Sequence, residues 1–359
     1  MPLPLNSIIH GDCLEVLEKL PPDSVDLIFA DPPYNLQLSQ ELWRPNHTRV
    51  EAVTDAWDQF ESFESYDNFT RSWLSGCRRI LKNTGTLWVI GSYHNIFRIG
   101  TILQDLGYWI LNDVIWVKTN PMPNFRGVRF TNAHETLIWV SKGKGSKYTF
   151  NHHAMKPFNN DKQMRSDWIF PLCKGDKRIK VDGEKAHSTQ KPEELLYRII
   201  LSSSNPGDVI LDPFFGTGTT GAVAKILHRN WIGIEQDQNY IEIAKNRLDQ
   251  INPEPLDEHT FDVSDKKRLA PRVAFASLLE VGLLFPGQQL YFRDQGGPTA
   301  RIKPDGKLIH KDIEGSIHQL ARYLMSGSPS NGWDLWLYQN ENGEFHIIDK
   351  LREMIRNQS

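Results

Sequence analysis

The stretch VILDPFFGTGTTGAVAKIL, residues 209–227, constrains the fold of this chain more than any other feature. A short apolar run ends at an acid, Asp212, and a glycine loop then leads into an apolar helix. Gly216 and Gly218 let the backbone turn tightly and approach a ligand closely. A strand, a glycine loop and a helix in this order predict a doubly wound α/β fold, with a nucleotide-like ligand at the carboxyl edge of its sheet.

The same alternation of strands and helices extends over the first 250 residues. Apolar runs bounded by turns predict strands at NSIIHGD, SVDLIFAD, GTLWVIGS, WILNDVIWVK, TLIWVSK, VILD and NWIGIE. Helical periodicity predicts helices at CLEVLEKL and at residues 68–82, 94–106, 192–204, 219–228 and 238–250. A polar loop at 35–67 and an insert at 119–190 interrupt the pattern. We expect a first domain at 1–251, a proline-containing linker at 252–271 and a small α/β domain at 272–359.

Basic charge is concentrated in the insert. The net charge of the chain is −3, but residues 1–115 carry −7, 116–191 carry +9, 192–270 carry −5 and 271–359 carry 0. This asymmetry indicates a polyanionic partner. The three cysteines, and His152 with His153, lack the spacing of a metal site. No charged leader and no membrane-length apolar run is present, so a soluble cytoplasmic protein without membrane or metal is expected.

The acids at predicted strand ends favour a cationic ligand rich in hydroxyl groups. Gly216, Gly218 and Gly221 also fit the GxGxxG spacing of NAD-binding proteins, with Glu235 at the end of the following strand. Asp212 would repel a pyrophosphate, however, and would attract a sulfonium or an amino group. S-adenosylmethionine meets both needs, with Glu235 accepting hydrogen bonds from its ribose hydroxyls.

A second motif, FADPPYN at residues 29–35, follows the apolar run SVDLIFA. Pro32 and Pro33 fix the backbone, so Asp31 and Tyr34 are expected at a rigid strand end. The Asp31 carboxylate and the Pro32 carbonyl could hold both N–H bonds of an exocyclic amine and localise its lone pair. Tyr34 offers a face for a base that has left the duplex. No cysteine adjoins a proline, as methylation of cytosine C5 would require.

DPPY, followed about 180 residues later by DPFFGTGTT with HSTQKPEELLYRII just ahead of it, resembles the amino-methyltransferases of DNA. The motif order is similar to their β group over residues 6–250. NPMPNFRGVRFTNAHETLIW and the C-terminal module resemble the cell-cycle-regulated adenine methyltransferases that modify GANTC. The resemblance implies an S-adenosylmethionine-dependent methyltransferase fold and methylation of adenine N6 in double-stranded DNA by base flipping and direct in-line transfer. It also implies target recognition by residues 119–190, a DNA-associated C-terminal domain and a homodimer on DNA.

Asp31 favours adenine over cytosine N4, where serine is usual at this position. Methylation of cytosine N4 or of RNA, and a DNA-binding regulator without activity, remain alternatives. Trp43, Trp57 and Phe60, in the polar loop, are candidates to stack on bases, and Thr189 and Lys191 to cover the methionine end of the cofactor. The predicted catalytic residues are Asp31, Pro32, Pro33 and Tyr34; the cofactor residues are Asp12, Cys13, Thr189, Lys191, Asp212, Phe214, Gly216, Gly218, Thr219 and Glu235; the DNA-binding residues are Arg44, Trp57, Asn124, Arg126, Arg129, Lys142, Lys144 and Lys147.

Overall fold

The computed structural model describes residues 3–35, 42–43, 49–50, 58–124, 127–173, 178–181, 184–185, 190–256, 273–328 and 330–358. The chain forms two compact units, residues 1–265 and 266–359. Four predicted site residues, and most of the predicted linker 252–271, lie outside the described residues: the four are Arg44, Trp57, Arg126 and Thr189. Of Trp43 only the backbone is described.

The first unit contains the alternation that the sequence predicts. Its strands are β1 (Ser7–His10), β2 (Val25–Ala30), β3 (Leu42–Trp43), β4 (Arg49–Val50), β5 (Leu81–Gly91), β6 (Trp109–Lys118), β7 (His134–Ser141), β8 (Asp167–Phe170), β9 (Lys180–Val181), β10 (Glu184–Lys185), β11 (Val209–Asp212) and β12 (Asn230–Glu235). Its helices are α1 (Cys13–Lys19), α2 (Phe63–Ile80), α3 (Ile96–Asp105), α4 (His152–Met155), α5 (Glu193–Ser203), α6 (Thr219–Ile226) and α7 (Gln238–Asp249).

Helix α2 begins at Phe63, five residues before its predicted start. The backbone N–H of Ser65 donates to the Ser62 hydroxyl oxygen at 3.1 Å, and the Ser62 N–H donates to the Ser65 hydroxyl oxygen at 3.2 Å. This reciprocal capping box satisfies two donors that would otherwise lack partners, which explains the longer helix.

Eight strands form one sheet in the order β1-β12-β11-β2-β5-β7-β6-β8. All neighbours are parallel except the two pairs that include β7. Strands β11 and β2 are adjacent, but the chain continues from β11 to β12 on one side and from β2 to β5 on the other. Their carboxyl ends therefore lie at a topological switch point, where doubly wound sheets bind ligands. The predicted doubly wound α/β fold is confirmed.

The antiparallel strand β7 belongs to the predicted insert 119–190. Because β7 runs against its neighbours, its first residues lie at the carboxyl edge of the parallel strands and its last residues lie at the opposite edge. Strand β8, also from the insert, pairs with β6 and extends the same sheet. The insert thus contributes both to the sheet and to its binding edge.

Helices cover both faces of the sheet. Leu17 of α1, Trp73 of α2 and Ile99 of α3 belong to the core on one face. Ile199 of α5 and Val223 of α6 belong to the core on the other. The sheet is therefore the middle layer of three, and its edge is where polar residues can meet a ligand.

The second unit has an antiparallel sheet in the order β16-β15-β14-β13-β17-β18. Its strands are β13 (Gln289–Phe292), β14 (Thr299–Ile302), β15 (Leu308–His310), β16 (Ile313–Gly315), β17 (Trp336–Gln339) and β18 (Phe345–Ile347). Its helices are α8 (Ser277–Glu280), α9 (Ile317–Leu324), α10 (Gly332–Leu335) and α11 (Asp349–Gln358). Leu290, Leu320 and Trp336 are fully or almost fully buried in a core of its own, as expected for a small α/β domain.

Candidate active site

The DPPY turn follows β2 directly and is held by side chains from three other parts of the chain. The Pro33 carbonyl accepts a hydrogen bond from the Tyr66 hydroxyl of α2 at 3.0 Å and one from Asn95 Nδ2 at 3.4 Å. The Tyr34 N–H donates to Asp58 Oδ1 at 2.5 Å, and the next N–H donates to the same oxygen at 2.9 Å. The rigidity of the turn thus comes from these contacts as well as from its prolines.

Two carboxylates and two buried ammonium groups lie at the turn, and the Asp31 and Glu135 side chains are 18% and 11% exposed. Lys191 Nζ lies 2.6 Å from Asp31 Oδ2 and 5.2 Å from the centroid of the Tyr34 ring. The Tyr34 hydroxyl donates to Glu135 Oε2 at 3.1 Å, and Lys118 Nζ lies 2.7 Å from Glu135 Oε1. The formal charges of this cluster cancel, so removing any one of them would leave a buried charge uncompensated.

The two carboxyl groups differ in their acidity. Burial raises the pKa of Asp31 above its ordinary value, although Lys191 works against this. Burial acts in the same direction on Glu135, but Lys191 and Lys118 outweigh it and lower the pKa of that carboxyl. Among the described residues, Asp31 Oδ1 is buried without a hydrogen-bond partner. A buried acceptor without a partner is suited to a ligand's N–H group.

The glycine loop after β11 forms the neighbouring half of the site. Asp212 Oδ1 accepts a hydrogen bond from the Phe214 N–H at 2.9 Å, and Oδ2 accepts one from the Thr220 hydroxyl at 2.6 Å. Burial raises the pKa of Asp212 to about 7, and the negative charges of Asp31 and Glu235 also raise it. A cationic ligand would favour the ionised form of this carboxyl.

Glu235, at the end of β12, braces the loop. Its Oε2 accepts a hydrogen bond from the Gly216 N–H at 2.7 Å, and its Oε1 accepts two from the backbone N–H groups that follow, at 2.9 Å each. Gly216 has φ +52° and Gly218 has φ +75°, a conformation that favours glycine. A Cβ atom on Gly218 would also lie 3.0 Å from the Cβ of Ala244.

One cavity of about 480 Å³ joins the two halves. This is in the range of small-molecule sites. Burial raises the pKa of the Cys13 thiol to about 12, so this thiol remains neutral. Gly218 does not line the cavity but is the N-cap residue of α6. The predicted residues that do line it are Asp12, Cys13, Asp31, Pro32, Pro33, Tyr34, Lys191, Asp212, Phe214, Gly216, Thr219 and Glu235.

The predicted DNA-binding residues do not lie together. Arg129 is exposed and donates to the Tyr93 hydroxyl at 2.6 Å, just beyond β5 at the carboxyl edge. Asn124 is half-buried in the loop that follows β6 at this edge. Lys142 follows β7 at the opposite edge, where its Nζ donates to Asp23 Oδ1 at 2.5 Å and to a backbone carbonyl at 2.6 Å.

Lys144 also lies away from the cavity, whereas Lys147 is exposed and Phe60 lines the cavity. Lys144 Nζ lies 5.2 Å from the centroid of the Trp109 ring, at the start of β6 and thus at the same opposite edge. Lys147 is exposed three residues further on. Phe60 packs edge-on against Tyr66 with ring centroids 5.0 Å apart. Because β7 is antiparallel, Lys142 and Lys144 lie at the edge opposite the cavity, and we do not retain these two lysines in the DNA interface. Lys147 stays a predicted DNA contact.

Several residues of the site are absent from the sequence predictions: Lys118, Glu135, Asp58 and Asn95. Lys118 ends β6, and Glu135 is the second residue of β7, the neighbouring strand. Each of two apolar strands therefore has a charged residue at or next to one terminus. This pattern would predict the ion pair only if the antiparallel pairing of the two strands were also predicted. Asp58 comes from the polar loop, in which nothing distinguishes it from other acids.

Within the described ranges, no group of three or more His, Cys, Asp or Glu side chains could hold a metal ion. The three cysteines are buried and form no disulfide. No helix in this part of the chain combines the length and apolar character needed to cross a bilayer.

Two family descriptions match the chain. The DNA methylase family N6_N4_Mtase matches residues 25–246, and the family Restriction Enzyme Adenine Methylase Associated matches residues 257–359. Type II methyltransferase M.HinfI of Haemophilus influenzae is 50% identical over 355 residues, which are 99% of this chain and 98% of that protein. Type II methyltransferase M2.LlaDCHI of Lactococcus lactis subsp. cremoris is 45% identical over 244 residues, 68% of this chain and 89% of that protein.

Solved structures of DNA methyltransferases are also similar to this chain. The M1.HpyAVI–SAM complex superposes with a TM-score of 0.50 at 30% identity and covers 67% of this chain and 98% of that one. The PvuII DNA methyltransferase, described as cytosine-N4-specific, gives a TM-score of 0.53 at 22% identity, over 72% of this chain and 90% of that one. This second likeness bears on the fold alone.

Proposed function

This chain belongs to the N6/N4 DNA methylase family and is a DNA methyltransferase that uses S-adenosylmethionine, and on that premise we propose that it methylates the N6 amine of adenine in double-stranded DNA. The observation that carries the proposal is Asp31 Oδ1 in the DPPY turn, a buried oxygen to which none of the described residues donates a hydrogen bond. It is buried in the same cavity as Asp212 and Glu235. An amine can donate an N–H hydrogen bond to such an oxygen, which would hold the amine and activate it for methyl transfer.

The residues of the glycine-loop half fit the cofactor. When bound, S-adenosylmethionine supplies an electrophilic methyl group on a positively charged sulfur. Asp212 lines the cavity with a pKa raised by burial to about 7, so a neighbouring positive charge would keep this carboxyl ionised. Glu235 retains acceptor capacity beyond the three backbone N–H groups that it binds, because a carboxylate offers about four lone-pair sites.

The DPPY half suits a target amine. The lone pair of an adenine N6 amine is delocalised into the ring, and two fixed acceptors would localise it. Asp31 Oδ1 is one. The Pro33 carbonyl already accepts hydrogen bonds from Tyr66 and Asn95, so we assign the Pro32 carbonyl as the other. The Asp31 carboxylate would also stabilise the positive charge that develops on the nitrogen.

A base within a duplex cannot reach this cavity unless it is flipped out, at a cost of a few kcal/mol. Stacking on an aromatic side chain offsets about 1–3 kcal/mol of such a cost. Tyr34 lines the cavity, and its ring orientation is fixed by the hydrogen bond from its hydroxyl to Glu135. We therefore assign Tyr34 as the residue on which the flipped adenine stacks.

The finer features of the proposal rest on the sequence resemblance. They are recognition of GANTC, target recognition by residues 119–190, DNA association of residues 272–359, a homodimer on DNA and action in the cytoplasm. Arg129 at the carboxyl edge supports a DNA surface on the side of the cavity. Asn124, Arg126, Arg44 and Trp57 also stay predicted DNA contacts.

Methyl transfer from labelled S-adenosylmethionine tests the proposal. Duplexes with and without GANTC are treated, digested to nucleosides and separated. We expect label in N6-methyladenine, and only in duplexes that contain the site. Label in N4-methylcytosine, or in RNA but not in duplex DNA, would overturn the proposal.

A further inference from the structure

The hydroxyl of Tyr34 stands between two buried carboxylates but carries only one proton. It donates that proton to Glu135 Oε2, at 3.1 Å. Burial raises the pKa of Tyr34 well above its usual range, and the negative charges of Asp31 and Glu135 raise it further. The hydroxyl therefore stays protonated, and its single proton can serve one carboxylate at a time.

Glu135 is equipped to attract this proton. It lies near the start of β7, and its other oxygen is 2.7 Å from Lys118 Nζ at the end of β6. The side chains of Lys118 and Glu135 are only 8% and 11% exposed. A buried ammonium partner keeps the Glu135 carboxylate ionised, and an ionised acceptor forms the stronger hydrogen bond.

The consequence appears at Asp31. Its Oδ2 is paired with Lys191 at 2.6 Å, whereas its buried Oδ1 lacks a partner among the described residues. The Tyr34 hydroxyl is near enough to Asp31 for the two groups to interact electrostatically, and a neighbouring donor would normally bind such an oxygen, because a buried acceptor without a partner is costly. The hydroxyl donates to Glu135 instead.

We propose that Glu135 is a positioning residue that draws the Tyr34 hydroxyl proton away from Asp31 and so keeps Asp31 Oδ1 open for the target amine. The proposal rests on the proposed role of Asp31 in methyl transfer. Glu135 itself touches neither substrate nor methyl donor in this scheme. Glu135 affects Asp31 by accepting the hydrogen bond of Tyr34, and Lys118 affects Tyr34 by pairing with Glu135.

Three variants test the proposal: Glu135→Gln, Tyr34→Phe and the double variant. In Glu135→Gln the single amide oxygen is expected to accept from Lys118, because that hydrogen bond is charge-assisted. The amide NH₂ then faces Tyr34, and the hydroxyl turns to Asp31, where it competes with the amine. We expect the single-turnover rate of methyl transfer to fall roughly 10- to 100-fold, the effect typical of a hydrogen bond to a charged group.

Tyr34→Phe keeps the ring and removes the competing proton, so its loss should be smaller. The distinctive expectation is for the double variant, which should transfer methyl groups faster than Glu135→Gln alone and about as fast as Tyr34→Phe. Such a rescue measures the coupling between neighbouring residues directly. A double variant as slow as Glu135→Gln, or slower, would overturn the proposal, because a merely structural role of Glu135 cannot be rescued at Tyr34.

The pH dependence of the rate gives a second readout. Asp31 is faced by Lys191, Tyr34 and Glu135, with Asp212 nearby. Removing the Glu135 charge and adding a hydrogen bond from Tyr34 both lower the pKa of Asp31, so the acid limb of the profile should move to lower pH in Glu135→Gln. An unmoved limb would contradict the proposal.

Stability and function are separated by controls. Melting temperature and calorimetric binding of S-adenosylmethionine report whether each variant is folded. If Glu135→Gln does not fold, it is combined with Lys118→Met, which removes both buried charges of that ion pair. Tyr34→Phe is then added to this double variant, and we expect it to raise the rate of methyl transfer as before. A wild-type protein that forms no N6-methyladenine refutes the proposed function, whereas an active wild type without rescue refutes only the role of Glu135.

Discussion

The two halves of the cavity are built in different ways. In the glycine-loop half, Asp212 bonds residues two and eight positions away, and Glu235 bonds residues one, two and 19 positions away. In the DPPY half, Tyr34 donates to residues 24 and 101 positions away, and Asp31 accepts from a residue 160 positions away. The first half is a local structure that is mostly complete within one strand–loop–helix segment. The second is an assembly that exists only when the whole domain is folded.

This difference predicts a division of labour. The local half can hold the cofactor whatever the state of the target side. In the assembled half, Asp31 and Glu135 are each paired with an ammonium group, and Asp31 Oδ1 accepts no hydrogen bond from the described residues. Changes in the DPPY half should therefore affect the rate of transfer, and changes in the glycine loop should affect cofactor affinity.

The largest effect is expected for Asp31→Ala. Loss of the carboxylate removes the acceptor for the amine and the stabilisation of charge on its nitrogen, and loss of one such group typically costs about 100- to 1,000-fold in rate. Single-turnover methyl transfer measures this, while calorimetry should find S-adenosylmethionine affinity unchanged within a few-fold. Near wild-type transfer would refute the catalytic role of DPPY.

Gly216→Val addresses the other half. With φ +52°, this position strains a branched side chain, and backbone strain of this kind costs about 1–3 kcal/mol. S-adenosylmethionine should bind roughly 10-fold or more weakly in calorimetry. Gly207→Val is the matched control, since Gly207 has φ +85° with open space around it and does not line the cavity. It should lower stability but leave affinity intact, and equal losses of affinity would contradict the assignment.

The acidity of Asp212 makes cofactor binding pH-dependent. Its pKa is raised to about 7 in the folded protein, so its contribution to stability is present at low pH and is lost as pH rises through about 7. A positively charged ligand favours the ionised form. Affinity for S-adenosylmethionine should therefore rise with pH, by up to roughly tenfold per unit, and level off above about pH 7. Calorimetry in matched buffers checks this, and Asp212→Asn should flatten the curve.

The smallest expected effect is on DNA binding, and it is tested by comparing two basic residues of the insert. Arg129→Ala should weaken DNA binding and reduce the slope of log affinity against log salt by about 0.9, the value for one phosphate contact. Lys142→Met is the matched control, because Lys142 already bonds Asp23 and a backbone carbonyl at the far edge of the sheet. Its slope should equal that of the wild type. A reduced slope in Lys142→Met would return this lysine to the interface.

The contrast between the halves also explains what the sequence could predict. Hydrophobic periodicity and turn residues are local features, and they predicted seven of the eight strands of the main sheet, but not β8 and not the first turns of α2. The glycine loop is local too, so the positions of Asp212, Gly216 and Glu235 at one edge followed from the motif. The structure brings Asp31 to them because β2 and β11 are neighbours at the switch point.

What could not be predicted depends on contacts distant in sequence. Glu135 meets both Tyr34 and Lys118 only because β7 enters the sheet antiparallel between β5 and β6. The same reversal carries Lys142 to the far edge, against the prediction from local charge. Lys191, predicted to cover the cofactor, lies with its ammonium on Asp31. The distribution of charge along the chain does not indicate the direction of a strand, and the direction of β7 determines where Glu135 and Lys142 lie.

Rate and affinity measured on the same samples of Asp31→Ala and Gly216→Val test the central claim most directly. The division of labour predicts that Asp31→Ala loses methyl transfer and keeps its affinity for S-adenosylmethionine. It predicts that Gly216→Val loses affinity but transfers at close to the wild-type rate once the cofactor is saturating. If either variant loses both properties together while remaining folded, the two halves of the cavity do not act as separate cofactor and target sites.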